Sequence, residues 1–309
     1  MCSWVATAII DYYNRQGAVV YGCAMDLSKA FDLVEWLPLF KVLEARKVSA
    51  VFLRVLLFIY RNQCCEVKWS GARSERFGVK NGVRQGAVSS PILFSVYIDN
   101  LFLVLRRSGL GCRVNGIFYG CLGYADDLLI LSASRSGLQS MVDICGAFAR
   151  KRNLKFSTNS NPAKSKTKGI IFSPKPKDRV NVLNLKLNGD DLPWVNEVKH
   201  LGNILESNNS MQRDMSIKKG QFIGKINSML QEFYYVSPKV FMKLVNVYAT
   251  SFHGSNLWDL FSSDSERLYK AWSVAVRLAY HVPNTTHRYL ITPISSVHHL
   301  KVMLTSISK

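Results

Sequence analysis

Acidic residues are scarce in this sequence. Asp and Glu number 21 against 40 Lys and Arg, a formal net charge of +19 over 309 residues. A surplus of that size favours a polyanionic partner, either nucleic acid or an acidic membrane surface. Long apolar runs are also lacking. Val51–Tyr60 is interrupted by Arg54 and ended by Arg61, and Pro91–Leu105 carries Asp99 and Asn100. Neither reaches the roughly 20 apolar residues of a spanning helix, so no membrane partner is expected. Asp11 breaks the early apolar run, and no secretory signal is expected there. The seven cysteines are odd in number and irregularly spaced, with Cys64-Cys65 adjacent and no C-x-x-C. That pattern disfavours a disulfide framework or a zinc site and suits reduced, partly buried thiols in an intracellular protein. His298-His299 reads as a polar surface pair rather than a metal site. What the chain does have is 48% hydrophobic residues, enough for two or three packed subdomains.

Patterning predicts alternating helices and strands as far as about Phe172. Ser3–Arg15 has helical spacing at Val5, Ile9 and Tyr12 or Tyr13. Ala18–Leu27 reads as a buried strand, and Trp36–Tyr60 as two helices. Val67–Val79 reads as a hairpin turning at Ser70-Gly71. Ser90–Arg107 is a long helix with Pro91 suited to its first turn. Val114–Leu131 gives hairpin strands, and Leu138–Arg152 an amphipathic helix carried by Leu138, Met141, Val142, Cys145 and Phe148. Arg150–Lys186 is dense in Lys and Arg, with Asp178 its only acid. It reads as a basic loop-and-strand segment facing nucleic acid, with a solvated linker as the alternative. After about Glu206 the pattern is helical. Phe222, Ile223, Ile226, Met229, Leu230 and Phe233 share one face; Val240, Phe241, Leu244, Val245 and Tyr248 a second; Leu268, Trp272 and Ala275 a third.

Because acids are few, their positions are informative. Asp26 ends an apolar strand in Gly22-Cys-Ala-Met-Asp-Leu-Ser-Lys-Ala-Phe-Asp32. Asp126 and Asp127 sit between the apolar runs Cys121-Leu-Gly-Tyr124 and Leu128-Leu-Ile-Leu131, as at the tip of a tight hairpin. Adjacent carboxylates at a turn are costly unless a cation or solvent compensates them. A solvated turn is the ordinary explanation of a lone Asp-Asp. Two Mg²⁺ ions that activate a primer 3′-hydroxyl and stabilise leaving pyrophosphate are the chemistry that fits best, because Mg²⁺ prefers a few carboxylates plus phosphate oxygens and water.

The motif order resembles the reverse transcriptases of non-LTR, LINE-type retrotransposons over nearly the whole chain. Asp26-Leu-Ser-Lys-Ala-Phe-Asp32 resembles motif A, Asn81-Gly-Val-Arg-Gln-Gly-Ala-Val-Ser-Ser-Pro91 motif B, and Tyr124-Ala-Asp-Asp127 motif C. Asn161-Pro-Ala-Lys-Ser-Lys-Thr-Lys168 with Ile170-Ile-Phe172 resembles motif D, and His200-Leu-Gly202 motif E. His253-Gly-Ser-Asn-Leu-Trp258 and His281-Val-Pro-Asn-Thr-Thr-His-Arg288 are similar to segments that follow the polymerase core in these elements.

The resemblance implies an α+β right-hand polymerase. Residues 1–205 would form a ferredoxin-like palm with partial fingers, and residues 206–309 a helical thumb and connection. It implies RNA-directed DNA synthesis with RNA template, DNA primer and dNTPs as partners, and two Mg²⁺ ions, with Mn²⁺ as a substitute. Asp26 and Asp126 would be the main metal ligands, Asp127 a lesser one, and the Leu27 carbonyl a further contact. Phe31 matches the aromatic gate that rejects a ribose 2′-hydroxyl, a core Phe being the alternative. Gln85 and Gly86 would line the nucleotide pocket. Arg84 would contact template or triphosphate, a surface charge being equally consistent. Tyr124 would brace the hairpin against the primer. Lys164 or Lys166 would lie near the triphosphate, Lys164 fitting slightly better, and His200-Leu201-Gly202 would grip the primer. Only 25 residues precede Asp26, which implies an N-terminally truncated form without the upstream fingers motifs. A catalytically impaired fragment that only binds nucleic acid is the alternative function, and a group II intron maturase or telomerase-like enzyme the alternative relative. The expected location is nucleus and cytoplasm, as a ribonucleoprotein. Oligomeric state is not legible.

Overall fold

A computed structural model describes residues 2–159, 164–250, 252–295, 300 and 304. Asn161, Pro162 and Ala163, from the start of the motif D segment, and the pair His298-His299 lie outside the described residues. The chain divides into two compact units. One comprises Tyr12–Asn196 together with Cys2, and the other Ser3–Asp11 together with Glu197–Lys309.

The Tyr12–Asn196 unit is built on a sheet whose strand order is Trp194–Val195, Lys168–Phe172, Val20–Asp26, Asp127–Ser132, Cys121–Tyr124. All pairings are antiparallel except the first, which is parallel. Four of these strands and two helices run in the chain order strand Val20–Asp26, helix Ser90–Arg107, strand Cys121–Tyr124, strand Asp127–Ser132, helix Arg135–Lys151, strand Lys168–Phe172. That is the βαββαβ order of a ferredoxin-like palm, with spatial order 4-1-3-2. The fold is therefore α+β, as expected.

Local sequence accounts for these elements. Leu128–Leu131 is apolar at every position, and all four side chains are buried, so the strand is covered on both faces. On the central strand, Gly22 allows close packing, because a Cβ there would stand 2.9 Å from the Phe172 ring. Pro91 opens the helix Ser90–Arg107, which buries Leu93, Phe94, Tyr97, Ile98, Leu101 and Leu105 at helical spacing. The Ser134 hydroxyl accepts from the Gly137 amide and caps the second palm helix. Leu138, Met141, Val142 and Cys145 on that helix join Cys23, Met25, Leu128 and Ile130 in one core. Each such large apolar side chain contributes roughly 1.5–3 kcal/mol on full burial. Trp36–Ala45 and Ala50–Arg61 are the two expected helices. The predicted hairpin turns at Ser70 (φ +46°) and Gly71 (φ +87°), both left-handed as a two-residue hairpin loop requires.

The second unit opens with the hairpin Glu197–His200 and Asn203–Glu206, followed by the helices Gln212–Glu232, Pro238–Leu244, Ser263–Ala279 and Arg288–Ser295. Its core joins Phe222, Ile226, Phe241, Val245, Leu268 and Trp272. Two of the expected helical faces are narrower than read. Ile223 and Phe233 flank the first buried stripe and stay partly exposed, and Val240 and Tyr248 are exposed on the second. The reason at Tyr248 is a π-helical turn over Val245–Ala249, which widens the spiral and rotates that side chain outward. All seven cysteines are free; Cys23, Cys112, Cys121 and Cys145 are buried, while Cys64 and Cys65 are exposed. Burial pushes the Cys112 and Cys145 thiols up to about 12, so they are inert packing groups. Among the described residues, no helix is long and apolar enough to cross a membrane.

Candidate active site

Asp26 is the last residue of the central strand, and Asp127 is the first residue of its neighbour. The antiparallel register sets the two directly opposite one another. Register partners project from the same face with Cβ atoms about 4.5–5.5 Å apart, and like charges so placed repel. Asp126 occupies the hairpin turn beside them, preceded by Ala125 at φ +55°. A non-glycine residue in that left-handed region is uncommon and costs roughly 1–2 kcal/mol. Tyr124, on the strand before the turn, is exposed.

One cation already approaches this pair. Lys166 Nζ lies 3.5 Å from Asp26 Oδ2. Lys164 and Lys166 are both exposed, and Lys166 is the one that forms an ion pair with Asp26. The strand end is fixed from its other side. The Ser157 amide donates to the Asp26 carbonyl at 2.7 Å, the Ser28 amide to the Lys155 carbonyl at 2.8 Å, and Asp26 N to Thr167 Oγ1 at 3.4 Å. Leu27 bridges to Phe156, and its side chain is buried in the core.

The motif B loop lies directly on the motif A turn. Val83 N donates to the Phe31 carbonyl, and Gly82 N to the Val34 carbonyl, both at 2.8 Å. Trp36 Nε1 donates to the Gly82 carbonyl at 2.8 Å, and Gln85 Nε2 to Asp32 Oδ1 at 2.9 Å. Gly82 has φ +91°, and a Cβ there would press on the Asp32 backbone at 3.1 Å. The buried Ser90 hydroxyl donates to the Arg84 carbonyl and anchors the loop to the helix it precedes. Gly86 is exposed at φ +83° with open space where a Cβ would stand. Arg84 and Gln85 are exposed on the rim of a cleft of about 700 Å³ that also takes in Asp32 and Asn81. Phe31 is half-buried and stacks on Phe94, ring centroids 5.0 Å apart. Asp32 and Trp36 are contacts that motif reading did not single out. The second carboxylate of Asp26–Asp32 was the available signal for Asp32.

Among the described residues, no group of three or more His, Cys, Asp or Glu side chains is gathered closely enough to enclose a metal. The donor set nonetheless suits a hard divalent cation. Asp26 and Asp127 face each other, and Asp126 sits at the adjoining turn, giving carboxylate oxygens alone on a partly exposed surface. A cation there would relieve the repulsion that the register imposes.

His200, Leu201 and Gly202 belong to the other unit. His200 is buried, with Nδ1 3.1 Å from Ser3 Oγ and Nε2 buried without a hydrogen-bond partner. Leu201 (φ +49°) and Gly202 (φ +78°) form the two-residue turn of their hairpin.

Residues 2–205 match the family model described as reverse transcriptase (RNA-dependent DNA polymerase). The chain belongs to the reverse transcriptase family. Its relatives include the Retrovirus-related Pol polyprotein from type-2 retrotransposable element R2DM of Drosophila melanogaster, 30% identical over 173 residues, which are 56% of this chain and 16% of that protein. The corresponding R2 polyprotein of Nasonia vitripennis is 29% identical over 51% of this chain and 15% of that protein. The RNA-directed DNA polymerase from mobile element jockey of Drosophila funebris is 24% identical over 67% of this chain and 22% of its own length. These relatives are polyproteins of non-LTR retrotransposons, and this reverse transcriptase chain spans less than a quarter of their lengths. Among solved structures, telomerase from Candida tropicalis in complex with a fragment of telomeric RNA is similar at 15% identity and a TM-score of 0.47, over 97% of this chain and 44% of that one. The assignment rests on the family model. Reverse transcriptases generally use divalent metal ions.

The burial of His200 has a consequence for stability. Desolvation lowers its pKa from the ordinary 6.5 to about 4, so the folded unit resists a proton that the unfolded chain accepts. Stability is full above pH 6.5, falls as pH drops from 6.5 towards 4, and loses about 3 kcal/mol over that window. Denaturant melts of wild type and His200→Gln at pH 7 and pH 4.5 measure this. The wild type is expected to lose more stability on acidification than the variant, and equal losses would contradict the assignment.

Proposed function

We propose that this chain carries the polymerase core of an RNA-directed DNA polymerase of a LINE-type element. The observation that carries the reading is the register pairing of Asp26 with Asp127 at the tip of a ferredoxin-like palm, beside Asp126. Asp26, Asp126 and Asp127, with the Leu27 carbonyl, would hold two Mg²⁺ ions, or Mn²⁺ in their place. Those ions would supply activation of the primer 3′-hydroxyl and charge compensation for the departing pyrophosphate.

The chain's own residues do the rest. Lys166 is poised to follow the triphosphate once cations take over the compensation of Asp26, and its ammonium can offset charge or give a proton to pyrophosphate. Gln85 and Gly86 would receive the incoming base pair, with Gly86 leaving room for backbone approach. Arg84, on the same rim, would meet template or triphosphate. Phe31, held flat on Phe94, would exclude a 2′-hydroxyl. Tyr124 and the turn Leu201-Gly202 would contact the primer, whereas His200 is buried and would act only from beneath it. The +19 charge would hold an RNA–DNA duplex through its phosphates, independently of sequence, with binding that weakens steeply in salt. Template RNA bound in this way would make the natural form a ribonucleoprotein.

The +19 charge equally supports a second reading, in which the chain binds nucleic acid without polymerising. Primer extension on an RNA template separates the two. Wild type should extend in Mg²⁺, and Asp126→Asn should lose extension while keeping salt-sensitive RNA binding. Robust extension by Asp126→Asn would refute the carboxylate assignment, and equal inactivity of both proteins would favour the binding module. For the gate, Phe31→Val should raise ribonucleotide incorporation relative to deoxyribonucleotide. Unchanged discrimination would make Phe31 a packing residue only.

A further inference from the structure

The segment His253–Trp258 lies outside the five polymerase motifs, yet it is bonded to the hairpin that holds the last of them. The turn Leu201-Gly202 is unusual for its type. A two-residue loop with both φ values positive favours Asn-Gly or Gly-Gly, and a leucine in the left-handed region costs roughly 1–2 kcal/mol. Something must hold it there.

The structure supplies the hold. His253 Nε2 lies 3.1 Å from the Leu201 carbonyl, an acceptor, so this ring nitrogen carries the proton. Lys218 sits one helical turn after Asp214 and is largely buried. Its ammonium donates to Asp214 Oδ2 at 2.8 Å, to Asn203 Oδ1 at 2.8 Å, and to the His253 carbonyl. All three of its hydrogens are thereby used. Asp214, 1% exposed, accepts in addition from Trp258 Nε1 at 3.0 Å and from the Ile204 amide at 3.1 Å. A buried carboxylate with three donors and a buried ammonium with three acceptors is the satisfied arrangement that such a pair needs. Gly254, at φ +80°, is required beside it, because a Cβ there would collide with Asn203 Oδ1. His253 thus bonds Leu201 directly, while the Asp214–Lys218 pair joins Trp258 and the His253 carbonyl to Asn203 and Ile204.

We propose that His253, with the Asp214–Lys218 pair behind it, is a positioning residue that holds the Leu201-Gly202 turn in the form it presents to the primer strand. The proposal rests on the primer-contact reading given above. It assigns the segment His253–Trp258 a role in primer placement rather than in general folding.

The test uses the full chain with an RNA-template, DNA-primer duplex. Dissociation constants come from fluorescence anisotropy, and hydrogen exchange follows the amides of residues 201–204. His253 is exposed, so its variants should keep the wild-type melting temperature. Losing its hydrogen bond should loosen exchange at the turn and weaken duplex binding by about fivefold, the equivalent of one ordinary hydrogen bond. His253→Gln retains an N–H donor and should restore both. Wild-type exchange at the turn in His253→Ala overturns the proposal, as does His253→Gln behaving like His253→Ala. A photo-crosslinking primer terminus tests the underlying reading separately. Loosened exchange with unchanged affinity and no crosslink to residues 200–202 would remove primer contact itself.

Discussion

The interaction on which the site depends is a repulsion. Two antiparallel strands at the centre of the palm end with Asp26 and Asp127 opposite one another. Sheet register sets them there, because the hydrogen-bonded pairing of Tyr21–Asp26 with Asp127–Ser132 runs to the ends of both strands. The buried side chains of Cys23, Met25 and Leu128–Leu131 hold that pairing in place and so bring the two charges together at its end. Lys166 relieves part of it from a mostly exposed position, where an ion pair contributes at most about 1 kcal/mol. A divalent cation would relieve much more. The apolar core thus sets two carboxylates face to face at the strand ends.

The same economy appears in the backbone. Both turns linked to the proposed chemistry place a non-glycine residue in the left-handed region, Ala125 before the carboxylates and Leu201 in the motif E hairpin. Each is held by its surroundings. Strand pairing from Cys121 to Ser132 fixes the first, and the Asp214–Lys218–His253 bonds fix the second. Motif B is likewise set by backbone bonds to Phe31 and Val34, which tie its loop to the turn that follows Asp26.

Much of this was legible in the residues. The helices at Trp36–Tyr60 and Ser90–Arg107, the Ser70-Gly71 turn and a hairpin at the paired acids follow from periodicity and turn chemistry, although its tip falls on Ala125-Asp126, one residue earlier than the Asp126-Asp127 expected, and Asp127 opens the strand. Other features leave little trace in a linear string. The contacts of Gly82 with Val34 and Trp36 run through its backbone, which has no residue signature. Lys164 and Lys166 differ by two positions, and only the fold shows which one reaches Asp26. The π-turn at Val245–Ala249 breaks the 3.6 period, so Tyr248 reads as buried when it is exposed. Asp214 and Lys218 were visible only as an i,i+4 pair, a spacing that ordinarily marks a solvated face rather than a buried hub.

The most direct test of the facing-carboxylate account is a thermal melt with and without Mg²⁺, which needs no primer, template or turnover. Without divalent cation, Asp127→Asn should melt above the wild type, because the opposed charge is gone. Added Mg²⁺ should raise the wild-type melting temperature and raise that of Asp127→Asn by less. A wild type indifferent to Mg²⁺, or a variant that gains as much from it, would contradict the account.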